Sequence, residues 1–143
     1  MRDLHNHIHT ARGISPAVAG TDNTPIVSQI IDTKGFGSAE FIILIGVNTD
    51  ANATFSVLVE DGDDSGLSDH AAVDDGFLLG TEALAGFTAA DDDNKVRKIG
   101  YAGNKRYARV TITPIGNDAG NIYVAGVWVL GHPEIAPTAN PPS

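Results

Sequence analysis

The feature of this sequence that most constrains its fold is punctuation. Short runs rich in Val, Ile, Thr and Phe are cut by clusters of Asp, Asn, Gly and Pro before any run reaches the length of a long amphipathic helix. Asp91-Asp92-Asp93-Asn94, Gly103-Asn104-Lys105 and Gly116-Asn117-Asp118-Ala119-Gly120 have the chemistry of tight turns. The β-branched side chains between such clusters suit a pleated surface. In Ala53–Glu60, Phe55, Val57 and Val59 alternate with Thr54, Ser56 and Glu60, the period of two of a half-buried strand, with Leu58 as the exception. Glu40–Val47 and Tyr123–Leu130 are apolar on both faces, which predicts central strands packed in the core, Trp128 included.

Further strands are expected at Leu4–Ala11, Ile26–Asp32, near Phe77–Leu79, and at Gly86–Ala90, Lys95–Tyr101 and Arg106–Thr113, with a turn at Lys34–Ser38. About eight strands with turns every 8–12 residues or so predict a single all-β domain, a jelly-roll or Greek-key β-sandwich. A chain of 143 residues, 42% of them hydrophobic, has the size and composition to bury one core. Residues 1–25 read as an N-terminal strand or arm with a turn region, 26–131 as the sandwich, and 132–143 as a Pro-rich tail. Pro133, Pro137, Pro141 and Pro142 oppose regular pairing there, so the tail is expected to be extended and mobile until a partner orders it.

Charge narrows the partners. The formal net charge of −9 repels polyanions, so neither nucleic acid nor an anionic membrane surface is an expected partner. No window approaches the roughly 18 apolar residues of a membrane span, and Met1–His5 lacks the apolar stretch of a signal peptide, which predicts cytoplasmic synthesis without Sec-type export. Cysteine is absent, which excludes disulfides, thiolate metal sites and a Cys nucleophile.

Three constellations bear on chemistry. Alternation would place His5, His7 and His9 on one strand face, where imidazoles can share a metal; Asp3-Leu4-His5-Asn6-His7 resembles the first metal motif of the polymerase-and-histidinol-phosphatase family of phosphoesterases. That resemblance covers five residues of a much longer α/β barrel, and only His70 and His132 remain as later histidines, so a metal hydrolase is the remote reading and a polar strand face the plainer one. Asp61, Asp63, Ser65 and Asp69 fall at positions one, three, five and nine of a calcium loop, but Ala72 stands where a bidentate carboxylate belongs, so a solvated acidic turn is the preferred reading and no metal is expected. Lys95, Arg97, Lys98, Lys105, Arg106 and Arg109 gather six of the nine basic residues in one stretch. They form either a positive docking patch, with Tyr101 and Tyr107 as interface anchors, or scattered solvated charges balancing local acids. No cofactor and no self-contained catalytic set is expected.

Arg12-Gly13-Ile14-Ser15-Pro16, Thr21-Asp22-Asn23-Thr24, Ile30-Ile31-Asp32, Phe55–Asp63, Leu79-Gly80-Thr81-Glu82, Lys95–Tyr101, Lys105-Arg106-Tyr107 and Leu130-Gly131-His132-Pro133 together resemble a family of small tailed-phage virion proteins that decorate, or cement, the capsid. The resemblance implies a jelly-roll-like sandwich on the outer capsid surface, a homodimer or homotrimer bound to the major capsid protein at capsomer junctions. It also implies binding rather than turnover, with the N-terminal strand and the tail around Pro133 and Pro137 as contact arms. The alternative on the same fold is a carbohydrate-binding or tail-associated virion module. An exposed aromatic cluster in a groove would favour sugar, and a flat self-complementary patch would favour a symmetric decoration oligomer.

Overall fold

Alternation drives the architecture: two antiparallel sheets each turn one set of alternate side chains inward. The structure, a computed structural model, describes residues 1–142. Its strands are β1 (Ile8–Ile14), β2 (Ile26–Val27), β3 (Ile31–Asp32), β4 (Phe36–Ile45), β5 (Thr54–Gly62), β6 (Ala71–Ala72), β7 (Leu78–Leu79), β8 (Phe87–Thr88), β9 (Val96–Tyr101), β10 (Tyr107–Ile115) and β11 (Val124–Pro133), with one helical turn, α1 (Glu82–Ala85). A five-stranded sheet runs β1-β11-β4-β9-β7. A six-stranded sheet runs β2-β10-β5-β6, with β3 pairing β10 and β8 pairing β5. Nearly every connection changes sheet, so neighbours within a sheet are distant in sequence, the arrangement of a jelly-roll β-sandwich.

Phe41, Ile43, Ile99, Trp128 and Leu130 enter the core from the first sheet and meet Phe55, Val57, Val59, Val110 and Ile112 from the second. Phe41 packs edge-on against Trp128 at 4.9 Å, and Phe55 stacks on Phe87 at 4.4 Å. Trp128 is buried as expected, and its indole Nε1 donates to the Gln29 carbonyl at 3.3 Å.

Four expectations are corrected. Leu4–Ala11 is not one strand: Asp3 accepts from the Asn6 backbone N–H at 3.1 Å and the Asn6 amide at 2.6 Å, which winds His5–His7 into a single 3-10 turn before β1 starts. Ile26–Asp32 is two short pieces, because Ser28 Oγ accepts from the Val110 N–H and Gln29 N–H turns to the Gly13 carbonyl, interrupting the pairing with β10. The turn before β4 is shorter than expected, Phe36–Ser38 already belonging to the strand. The tail is pinned rather than free: Thr138 N–H donates to the Asn6 carbonyl at 3.0 Å and its hydroxyl to the Ile8 carbonyl. Ser143 lies outside the described residues.

Candidate functional site

The two outer faces of the sandwich differ in chemistry. On the six-stranded sheet, β10 and β5 turn outward Thr111 beside Leu58, Thr113 beside Ser56, and Arg109 beside Glu60. That face mixes hydroxyls with the exposed aliphatics Leu58, Val27 and Ile115 and carries an ion pair, Arg109 Nε to Glu60 at 2.8 Å.

On the five-stranded sheet, cross-strand register sets the outward side chains in four rows. The first is Ala125, Leu44 and Val96; the second Arg12, Val127, Ile42 and Lys98; the third Thr10, Val129, Glu40, Gly100 and Leu79; the fourth Ile8, Gly131 and Ser38. Leu44, Val96 and Leu79 are 57%, 55% and 61% exposed, and Ile42, Val127 and Val129 are half-buried between them. Glu40–Val47 is therefore not covered on both faces: Phe41, Ile43 and Ile45 fill the core, while Ile42 and Leu44 look out. These aliphatics adjoin one another across β11, β4, β9 and β7, with Arg12, Lys98, Glu40, Thr10 and Ser38 among them.

Glu40 lies within that apolar face. A Cβ on Gly100 would sit 2.9 Å from Glu40 Oε2 and 2.8 Å from the Leu79 Cβ, so the absence of a side chain at Gly100 lets the carboxylate lie flat across β9. Partial burial pushes the Glu40 carboxyl above the usual carboxylate range, while the nearby Lys98 ammonium pulls it back. Beyond Glu40 the fourth row sinks into an open trough of about 560 Å³, floored by Ala39, Val129 and Gly131 and rimmed by Arg2, Leu4, His7 and His132. Ser38 Oγ and His132 Nδ1 are 3.0 Å apart in its wall.

The six basic residues do not converge. Lys95 and Arg97 both reach Asp92, Lys105 reaches Asp63 at 2.6 Å, Arg106 reaches Asp32 at 2.7 Å, and Arg109 is committed to Glu60 on the opposite sheet. None of these pairs includes Lys98, which stands on the apolar face. The positive patch is thus corrected to local neutralisation, because β9 and β10 belong to different sheets. Tyr101 is 5% exposed and is a core residue, not an interface anchor; its hydroxyl donates to Asp61 at 2.7 Å and accepts from the Lys105 N–H at 3.1 Å. Burial and the Asp61 carboxylate raise its pKa. Tyr107 is half-buried beneath the Arg106 guanidinium, 5.0 Å from the ring centre.

The metal candidates are dispersed. His7 turns to the Asp3 carbonyl, His5 to the Asn140 amide, and His9 lies 5.6 Å from the Phe36 ring, so the three share no face. In the acidic loop Asp69 accepts from the Asp63 and Asp64 N–H groups, and Asp64 from those of Gly66 and Ser68. Those backbone donors hold both carboxyls below the usual range and fold the loop upon itself. Asp61 faces Tyr101, Asp63 faces Lys105, and Ser65 is exposed. Among the described residues no three His, Asp or Glu side chains converge to hold a cation. Pro133 ends β11 opposite Phe36, and Pro137 lines a small cavity with His9 and Phe36. Among the described residues no helix is long and apolar enough to cross a membrane.

No family model matches the chain, and no curated protein does. Solved structures similar to it include a xylan-binding module, CBM15, at 14% identity with a TM-score of 0.42, covering 94% of this chain and 96% of that one. A CBM35 module from Paenibacillus barcinonensis matches at 13% identity and a TM-score of 0.39, over 86% of this chain and 93% of that one. A Clostridium thermocellum xylanase 10B structure containing CBM22-1 and GH10 modules with xylohexaose matches at 13% and 0.44, over 95% of this chain but 28% of that one. Likeness at this level identifies no ligand for this chain.

Proposed function

We propose that this protein is a structural assembly module: it acts by docking rather than by turnover, and its setting is the outer surface of a tailed-phage capsid, where it cements the major capsid protein shell. The observation that carries the docking reading is the apolar outer face of the five-stranded sheet, where Leu44, Val96 and Leu79 are exposed beside Ile42, Val127 and Val129. Exposing that many aliphatic side chains on one sheet face is unfavourable in water, and covering them supplies about 25 cal/mol per Å². Contacts of this size are modest singly, but repetition over a symmetric shell multiplies them. The capsid setting rests on the sequence resemblance.

Glycan binding is the second reading, favoured by the trough, where the apolar floor and the polar rim of Arg2, His7, Ser38, Glu40 and His132 match the two faces of a sugar ring. Aromatic placement is less helpful to it. Phe77 and Tyr123, 44% and 47% exposed, lie at opposite ends of the sheet, beside Ala102 and Gly46.

Cryo-electron microscopy of virions from the source phage, compared with particles lacking this protein, tests the proposal. The expected result is sandwich-shaped density over capsomer junctions, lost in the deletion particles together with resistance to heat. A capsid unchanged by the deletion, with the purified protein retained on a polysaccharide affinity gel, would replace it with the glycan reading.

A further inference from the structure

We infer that the apolar face is covered by a second copy of the same chain, the two sheets stacked about a two-fold axis that crosses the strands midway between the Ile42 row and the Glu40 row, so that Lys98 of each copy meets Glu40 of the other. This names the occupant of the face and rests on the assembly reading above.

The rows make the face self-complementary about that axis. Such a rotation keeps each strand opposite itself and exchanges the second row with the third and the first with the fourth. Lys98 then lies over the partner's Gly100, the position across which the Glu40 carboxylate is folded. Lys98, which like Arg12 in the same row is in none of the ion pairs named above, thus meets a carboxylate held in an apolar setting, twice by symmetry. Val127 then stacks on Val129 of the other copy, and Ile42 lies over the stem of the partner's Glu40, whose carboxylate is folded aside across β9. Leu44 and Val96, the protruding aliphatics of the first row, descend toward the trough floored by Ala39, Val129 and Gly131. Knobs and a trough at equal distances on either side of one axis are what a two-fold contact requires. The alternative axis, running along the strands, would set Arg12 of one copy near Lys98 of the other and is disfavoured by charge.

Size sets the strength. Five strands at about 4.8 Å and four rows at about 6.8 Å span roughly 20 Å each way, about 400 Å² per copy, so the pair buries on the order of 800 Å² from the face alone. That is at the low end for specific contacts and predicts a dimer that dissociates on dilution, suited to an element completed on a larger scaffold.

The test uses the purified full chain in sedimentation equilibrium and native mass spectrometry, with Glu40→Lys, Lys98→Glu and their mixture. Each single reversal sets like charges opposite each other and should weaken the dimer about tenfold or more. Mixing the two variants creates complementary pairs at both sites, so a heterodimer should form in preference to either homodimer. An ion pair within one chain would not be repaired by mixing. Leu44→Asp should abolish dimerisation, and Ser56→Glu mixed with Ser56→Lys, on the opposite sheet, should show no preference. Wild type monomeric at about 100 µM, a dimer indifferent to Leu44→Asp, or a mixture that fails to recover the dimer would each overturn the inference. The assembly reading is judged separately by virion density, so a monomer that still decorates virions refutes only the two-fold contact.

Discussion

The outer face of the five-stranded sheet lies over a tight spot in the core, and that spot gives a quantitative prediction. Phe41 is fully buried, and its ring runs under both Gly13 and Gly126. A Cβ on Gly126 would overlap Phe41 Cζ and stand 3.0 Å from Cε1, and a Cβ on Gly13 would be 2.5 Å from Cε2. With Trp128 also packed edge-on against the ring at 4.9 Å, Phe41 has little room in which to yield. Gly126→Ala should therefore carry the overpacking cost of a rigid core, about 2–3 kcal/mol, against a gain of a few tenths from the reduced freedom of the unfolded chain. In urea, with a slope of about 2 kcal/mol/M, the midpoint falls by about 1–1.5 M. Gly76→Ala is the control, since a Cβ there meets nothing within 4 Å, and it should stay within about 0.5 kcal/mol of wild type. In a Phe41→Leu background the ring is gone, and Gly126→Ala should cost less than about 0.5 kcal/mol. Equal costs in the two backgrounds would refute the reasoning, as would a Gly126→Ala protein as stable as wild type.

Two further predictions use titration. Asp92, whose side chain is 11% exposed, accepts from the Thr88 N–H and pairs with Arg97 and Lys95, and the backbone donor first, then these cations, hold its pKa below the usual range. A depressed folded pKa gives stability that is complete above the unfolded value of about 3.9 and lost as pH falls through the folded one. Asp92→Asn should thus cost about 1.5–3 kcal/mol at neutral pH, with the gap to wild type closing below about pH 4 in denaturant titrations; a gap that does not change with pH would contradict it. Tyr101 is the opposite case, raised in the fold, so stability should decline above about pH 10, where only the unfolded chain ionises this phenol. Spectrophotometric titration should show one of the three tyrosines ionising only as the protein unfolds, and Tyr101→Phe should abolish that component.

Strand positions were legible where one face is polar. The alternation in Ala53–Glu60 returns as β5, with Phe55, Val57 and Val59 inward. It was not legible where side chains rather than periodicity decide, as when Ser28 divides Ile26–Asp32 and Asp3 winds the His5–His7 turn. Helical turn α1 was missed although a signal exists: Thr81 stands before Glu82 as an N-cap, and its Oγ1 accepts from the Leu84 N–H at 3.1 Å. The positive patch failed for a topological reason. Nearness in sequence does not fix which sheet a strand joins, and the crossover from β9 to β10 carries Arg109 to the opposite side of the sandwich from Lys98.

Glu40–Val47 and Tyr123–Leu130, read as strands covered on both faces, are covered by the fold on one face each. In a two-layer sandwich each sheet has only one inner face, so a strand that is apolar on both sides demands a second cover. β5 and β10 come nearer to the rule for a wetted face, with Thr111, Thr113 and Ser56 turned outward among the exposed Leu58 and Ile115. β4 and β11 break it together, in neighbouring strands and in register, with Ile42 beside Val127 and Leu44 beside Ala125. Residues that satisfy the fold's own needs would not have to be apolar there. On the proposed reading, that excess hydrophobicity serves an interface, and Glu40, the one acidic side chain in the four rows, would select the orientation of the covering surface.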